Sequence, residues 1–254
     1  MSGAQTLRKK DVIHGLWSLT GHRDVIDTAA SAGPDFIVVD TQHGVDLGLV
    51  DASLFTVMAA YGVPGLVRVE SIDLGRIGRA LDLGAAGIVV PMVDSPEDAN
   101  RAVHATRHAP RGGRSYGMQT RRVGPFDEDP FVVIQVETAG AVKSIEAIAG
   151  VEGVDALYIG PADLGLGLGG APAADVDQVF DGTHPNAAVL ADAFRSVVTA
   201  ANSAGIVAGL HCVTGERSAR AVEEGFRMSS VAVDLGLIEA GLRAQLETAR
   251  DMSD

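Results

Sequence analysis

The chain of 254 residues has a single cysteine, Cys212, so an internal disulfide is excluded. That usage fits a reducing compartment. Aromatic residues make up only 4%. A core built around Trp and Tyr is therefore excluded, and Val, Ile, Leu and Ala must fill it. Positive charge is scarce: 20 Lys and Arg against 33 Asp and Glu leave a net charge of −13. An acidic surface repels phosphate backbones and anionic lipids, which argues against nucleic-acid and membrane partners. An anionic substrate would need a local arginine or a metal ion to reverse the field. No apolar run approaches the roughly 18 residues of a membrane span. Met1 to Lys10 has no apolar run and no signal-peptide pattern, so a cytoplasmic protein is expected. A 46% apolar content with 21% charged residues excludes a disordered chain.

Short apolar runs recur instead. They begin with residues 12–17 and continue with 36–39, 65–69, 87–90, 131–136, 156–159, 206–210 and 230–233. Most are continuous rather than alternating, as in parallel strands buried on both faces. Helix-like stretches between them close on Gly33, Gly84, Gly205 and Gly225. Eight strands with intervening helices in a chain of this length predict one (β/α)8 TIM barrel domain over 1–254. An open doubly wound sheet is the runner-up, but no G-x-G-x-x-G follows the first strand. Residues 111–130 and 165–187 are polar and glycine-rich, and are expected to be long functional loops. Residues 235–252 read as a final helix with an apolar stripe that closes the barrel or packs on a partner.

Barrel active sites lie at the C-terminal ends of the strands. Polar residues there are Asp40 and His43 after the second run, Arg68 in the third, and Gln135 and Glu137 at the fifth. Gly160, Pro161, Ala162 and Asp163 follow the sixth, and His211 the seventh. Glu137 and Asp163 make the hard-oxygen pair that Mg²⁺ or Mn²⁺ prefers. The alternative is that Asp163 caps a helix and Glu137 pairs with an arginine. His43 is a candidate base with Asp40 beside it. Arg68 on an apolar strand needs an anionic partner: Glu137, Asp82 or a substrate oxygen. His14, His22, His104, His108 and His184 read as surface or loop residues. Arg111, Arg114, Arg121 and Arg122 form a basic cluster, either an anion guide or a subunit contact.

Residues 36–44, Phe-Ile-Val-Val-Asp-Thr-Gln-His-Gly, together with Gly87–Val93, Gln135–Thr138 and Tyr158–Leu164, resemble the motifs of the HpcH/HpaI aldolases in order and spacing. The likeness extends over residues 13–245. It implies a (β/α)8 barrel assembled as a hexamer, a trimer of dimers, with the last helix exchanged between subunits. By this resemblance Glu137 and Asp163 would hold a divalent ion (Mg²⁺, Mn²⁺ or Co²⁺), with Gln135 beside it. Arg68 would bind pyruvate oxygens. His43 would be the acid/base oriented by Asp40, with Asp82 of a partner subunit completing the relay. Amides around Gly160, Pro161 and Ala162 would hold the substrate carboxylate, and Trp17 would line the pocket.

Three positions depart from the family pattern: Gln42 before His43, His211 where an apolar residue is usual, and the length of 165–187. The implied activity is cleavage of a 4-hydroxy-2-keto acid to pyruvate and an aldehyde. Oxaloacetate decarboxylation on the same site is the alternative, needing the metal and Arg68 but not His43. A non-catalytic acid-binding barrel and a phosphate-sugar isomerase are more distant readings. The latter needs a phosphate site where the chain offers Asp234.

Overall fold

The computed structural model describes residues 2–44, 50–117 and 128–251. Helix α1 (Gly3–Arg8) precedes the first strand, β1 (Ile13–Ser18). Then come α2 (Arg23–Ser31), β2 (Phe36–Asp40), α3 (Ala52–Ala60), β3 (Gly65–Arg68), α4 (Leu74–Leu83), β4 (Gly87–Val90), α5 (Pro96–Thr106) and β5 (Phe131–Val136). The second half contains α6 (Ala139–Lys143), α7 (Ile145–Ala149), β6 (Ala156–Ile159), α8 (Pro161–Gly167), α9 (Val176–Phe180), α10 (Ala187–Ala204), β7 (Val207–His211), α11 (Gly215–Glu223), β8 (Met228–Val233) and α12 (Asp234–Asp251). The strands pair in parallel in sequence order, and β8 returns to β1. The fold is a (β/α)8 barrel.

Each strand is buried on both faces, which is why its apolar run is continuous. Phe36, Val38, Leu66, Val89, Phe131, Val133 and Tyr158 fill the lumen. Their neighbours Ile37, Val67, Ile88, Ile134, Leu157 and Leu210 face the helices. Tyr158 needs Gly209 beside it, because a Cβ there would run into its ring. The four predicted helix-ending glycines all adopt positive φ, from 70° at Gly205 to 117° at Gly84.

The lower end of the barrel is plugged by α1, which the sequence reading did not single out. Ser2 caps it by accepting from the Gln5 amide at 3.3 Å, and Ala4 and Leu7 join the lumen cluster. Arg8 then reaches both oxygens of Asp155, at 2.6 and 2.9 Å. Asp234 secures the opposite end of the β8–β1 seam. It accepts hydrogen bonds from the Ser18 hydroxyl (2.7 Å), the Leu19 amide (3.0 Å) and the hydroxyl and amide of Thr20. That acid occupies the amides a phosphate would need.

Some expectations require correction. Residues 165–187 are not an open loop. They contain the end of α8 and all of α9, with Ala173, Val176 and Val179 buried. Arg217 and Arg220 of α11 hold Asp175, Asp177 and Asp181 there. His184 is buried rather than at the surface. The basic cluster is not a patch as far as it is described. Arg111 pairs with Asp129 at 2.9 Å and Arg114 with Asp82 at 2.6 Å, and Arg121 and Arg122 lie outside the described residues. The final helix forms as expected, but Asp234 is its one buried residue among those described. Leu237, Ile238 and Leu242 are exposed on it. No helix among the described residues is long and apolar enough to cross a membrane.

Candidate active site

The C-terminal rim gathers side chains from six strand ends: β1, β2, β3, β5, β6 and β7. Asp40 ends β2 and Arg68 ends β3, in register with each other across the pair. The guanidinium engages the carboxylate through both Nε, at 3.0 Å to Oδ1, and Nη2 to Oδ2. Asp40 also accepts from Trp17 Nε1 at 3.0 Å and from the amides of Gln42 and His43 at 2.9 and 3.1 Å. Burial alone would raise its pKa. The hydrogen bonds and charge of Arg68, with help from Trp17 and the His43 amide, outweigh that and hold it below the usual value. The Trp17 ring lies under the guanidinium, 5.1 Å from its carbon, and stacks on Tyr158.

This pairing corrects two expectations. The partner of Arg68 is Asp40, not Asp82 or Glu137. Moreover, Asp40 holds the backbone of the His43 turn rather than its imidazole. His43 is exposed at the rim, at the edge of a segment (45–49) outside the described residues. Asp82 lies on α4 and is bound to Arg114, and no hydrogen bond joins it to His43 among the described residues.

Glu137 follows β5 and is buried. Its Oε2 accepts from the Met92 amide at 3.0 Å. Met92 holds a left-handed backbone, φ 54°, that turns this amide inward; side-chain pattern alone could not have found it. Burial raises the Glu137 pKa above its ordinary value. The Met92 amide and Arg68 act against this, while Asp163 and Asp40 add to it. Gly160 lies so close that a Cβ would stand 2.5 Å from Glu137 Oε1. Among the described residues no arginine is hydrogen-bonded to Glu137, and the N-cap of α8, Gly160, receives no side-chain hydrogen bond, so Asp163 on the first turn is not a helix cap. Asp163 is exposed on the first turn. Of the expected carboxylate-binding amides, Gly160 is bonded to the Val136 carbonyl at 3.3 Å and Pro161 has none. Of these three residues, Ala162 is the one whose N–H makes no hydrogen bond among the described residues.

His211 ends β7 with its ring edge-on to Trp17, centroids 5.0 Å apart. Burial, with Arg68 nearby, lowers its pKa to about 4, so it is neutral at physiological pH.

A family model described as HpcH/HpaI aldolase/citrate lyase matches residues 14–240. The chain belongs to this family. It is 36% identical to a 4-hydroxy-2-oxovalerate aldolase of Novosphingobium aromaticivorans, over 79% of this chain and 78% of the relative. A hydroxypyruvate/pyruvate aldolase of Paraburkholderia phytofirmans is 29% identical over 96% and 95%. Among solved structures, an HpcH/HpaI aldolase/citrate lyase family protein from Burkholderia cenocepacia superposes with a TM-score of 0.82 at 29% identity, covering 97% and 98%. The HpcH/HpaI chain described here is a carbon–carbon lyase.

The donor set of this HpcH/HpaI enzyme fits a hard divalent ion. Glu137 is a buried carboxylate whose charged form is disfavoured as it stands, and Asp163 is close enough to add repulsion. Gln135 Oε1 is buried with no hydrogen-bond donor. Two carboxylates close enough to repel, beside an amide oxygen with no donor, are the kind of surroundings a hard divalent ion relieves. No group of three or more His, Cys, Asp or Glu side chains among the described residues is arranged for a metal. The remaining positions would therefore fall to water and substrate oxygens.

Proposed function

We propose that this chain is a divalent-metal-dependent aldolase that cleaves a 4-hydroxy-2-keto acid to pyruvate, or a related 2-keto acid, and an aldehyde, and joins them in reverse. The observation that carries the reading is the buried Glu137 carboxylate, set against Asp163 and the unpartnered Gln135 oxygen on the same rim as a buried arginine. The aldolase names of the relatives support it.

Glu137 and Asp163 would hold Mg²⁺, Mn²⁺ or Co²⁺, with Gln135 beside them. When bound, the ion acts as a Lewis acid on the keto group. Arg68 carries fixed positive charge to the place where the enolate oxygen develops, without reorganisation at the moment of reaction. Its clamp on Asp40 and its seat on Trp17 hold that charge still. His43, at the exposed rim, takes the proton of the C4 hydroxyl, directly or through water, and the bond between C3 and C4 breaks. The Ala162 amide binds the substrate carboxylate.

The chain's lysines are Lys9, Lys10 and Lys143, none at a strand's C-terminal end. A Schiff-base route has no amine to use.

Asp82 joins the His43 relay only if a neighbouring subunit supplies it. The exposed apolar residues of α12 suit a contact with another subunit, and the family resemblance implies that the assembly is a hexamer, a trimer of dimers, with α12 crossing between subunits. Cytoplasmic location, with which the lone cysteine is consistent, belongs to the same reading.

The test is pyruvate release from a racemic 4-hydroxy-2-keto acid by EDTA-treated protein, with and without Mg²⁺, Mn²⁺ or Co²⁺. Release restored by metal is expected; release that persists without it overturns the roles of Glu137 and Asp163. Oxaloacetate decarboxylation is the second activity to assay. His43→Ala should abolish aldol cleavage and spare decarboxylation, and equal loss of both refutes the role given to His43.

A further inference from the structure

We propose that Ser230 is a positioning residue. It fixes His211 as the tautomer protonated at Nε2, and His211 thereby offers substrate an N–H donor at the barrel rim, favouring a fragment that carries an oxygen there. The second half of this inference rests on the aldolase reading above; the first does not.

The hydroxyl of Ser230 is fully buried on β8 and stands at the centre of a small network. The Cys212 amide donates to Ser230 Oγ at 3.3 Å, and an amide can only donate. The Tyr158 hydroxyl lies 3.2 Å from the same oxygen. Tyr158 is wholly buried, and its hydroxyl proton has no other acceptor among the described residues. It must therefore point at Ser230, since a buried donor left unmet is costly. Both lone pairs of Ser230 Oγ are then occupied. Its own proton goes to the remaining neighbour, His211 Nδ1, at 2.9 Å. Nδ1 accepts, so the ring proton of the neutral imidazole resides on Nε2.

The backbone is arranged around this contact. Val213, a β-branched residue, adopts φ 59°. That conformation is rare for such a side chain and persists only where its surroundings hold it. It lets two successive amides, Cys212 and Val213, clasp the hydroxyl and the carbonyl of Ser230, the latter at 3.0 Å.

The ring's other edge faces the site. His211 follows Gly209 on the lumen side of β7, and Ala208 and Leu210 face the helices. Nδ1 is turned to a fully buried serine, whereas the residue as a whole is part-exposed. Trp17 stands edge-on, and Arg68 and Asp40 are near enough to act on its charge. An Nε2–H in this position cannot serve as a base. It donates to a hydroxyl or carbonyl oxygen of the substrate, and an analogue with a methyl or hydrogen there leaves it unmet.

The experiment uses the full-length protein with 15N-labelled histidine, assigned with His211→Phe. The nitrogen shifts of His211 should report Nδ1 as the unprotonated nitrogen in wild type. Ser230→Ala should shift the ring toward a tautomer mixture, and Ser230→Thr, which keeps the hydroxyl, should not. In parallel, kcat/KM is measured for two pairs in the carboligation direction: hydroxypyruvate against pyruvate, and glycolaldehyde against acetaldehyde. In at least one pair, Ser230→Ala and His211→Phe should lower the preference for the oxygenated partner about five- to tenfold, and Ser230→Thr should retain it. A protonated Nδ1 in wild type overturns the proposal. So do preferences that stay unchanged in both variants, or that fall equally with alanine and threonine. A protein with the expected tautomer but no carboligation with any metal refutes the aldolase reading and upholds the Ser230 assignment.

Discussion

Replacing Asp40 with Asn changes one atom and should be among the costliest substitutions in this barrel. The carboxylate accepts from Arg68 Nε and Nη2, Trp17 Nε1 and the amides of Gln42 and His43. Its side chain is 0% exposed and that of Arg68 10%. An asparagine has one acceptor oxygen. Placed at either position, its NH₂ confronts N–H groups that have nowhere else to donate. The guanidinium also loses its counter-charge while buried. A broken buried pair of this kind costs about 3–5 kcal/mol. Arg68→Met should cost a similar amount, since it leaves a buried carboxylate with only neutral donors. The double variant Asp40→Asn/Arg68→Met should cost less than the two together, with a coupling of about 2 kcal/mol or more. Equilibrium urea unfolding of metal-free protein at pH 7 measures all three. Single variants within about 1 kcal/mol of wild type, or strictly additive costs, would refute the reasoning. The pH dependence provides a second check. Asp40 is held below its ordinary value of 3.8, so the unfolded chain binds the proton first. The stabilisation is complete above that ordinary value and is lost as pH falls through the lower folded value; Asp40→Asn should lack this loss.

Leu7→Ala removes the apolar plug at the lower end of the lumen and should cost about 2–5 kcal/mol in the same unfolding assay, with kcat little changed because the site is at the other rim. Glu137→Gln should leave metal-free protein as stable as wild type or more so, because it removes a carboxylate whose charge burial disfavours. It should also abolish the rise in Tm that Mn²⁺ gives wild type; a retained rise refutes the ligand role. His211 has a folded pKa of about 4 against an ordinary 6.5. The unfolded chain therefore binds more protons in that window, and stability should fall by up to roughly 3 kcal/mol as pH drops from 6.5 to 4. His211→Asn should lose that component, and parallel stability–pH curves for the two proteins would refute it.

The barrel was legible in the residues because its signal is local. Run 36–39 is apolar at every position and run 131–136 at all but Gln135, and helices close on glycines whose positive φ no other residue adopts cheaply. Each such feature depends only on near neighbours in the chain. The rim was legible in part, since polar residues ending apolar strands stand out. Residues 165–187 misled because composition says loop, and only the arginines of α11 and the buried Val176 and Val179 decide that the segment packs down. Similarly, α1 has too few apolar residues to register as a core element until the open end of the lumen receives it.

What the sequence determined by itself is therefore the strand count, the barrel and the roster of rim residues. Only the tertiary structure decided who partners whom. It gave Asp40 to Arg68 rather than to the His43 ring, Asp82 to Arg114, and Met92's amide to Glu137. The Ser230 hydroxyl went to His211. Burial and pairing depend on atoms brought together from strands far apart in the chain, and a hydrogen bond is decided within a few tenths of an ångström. Residue type states what a group can do; the closed barrel sets which single neighbour it does it with.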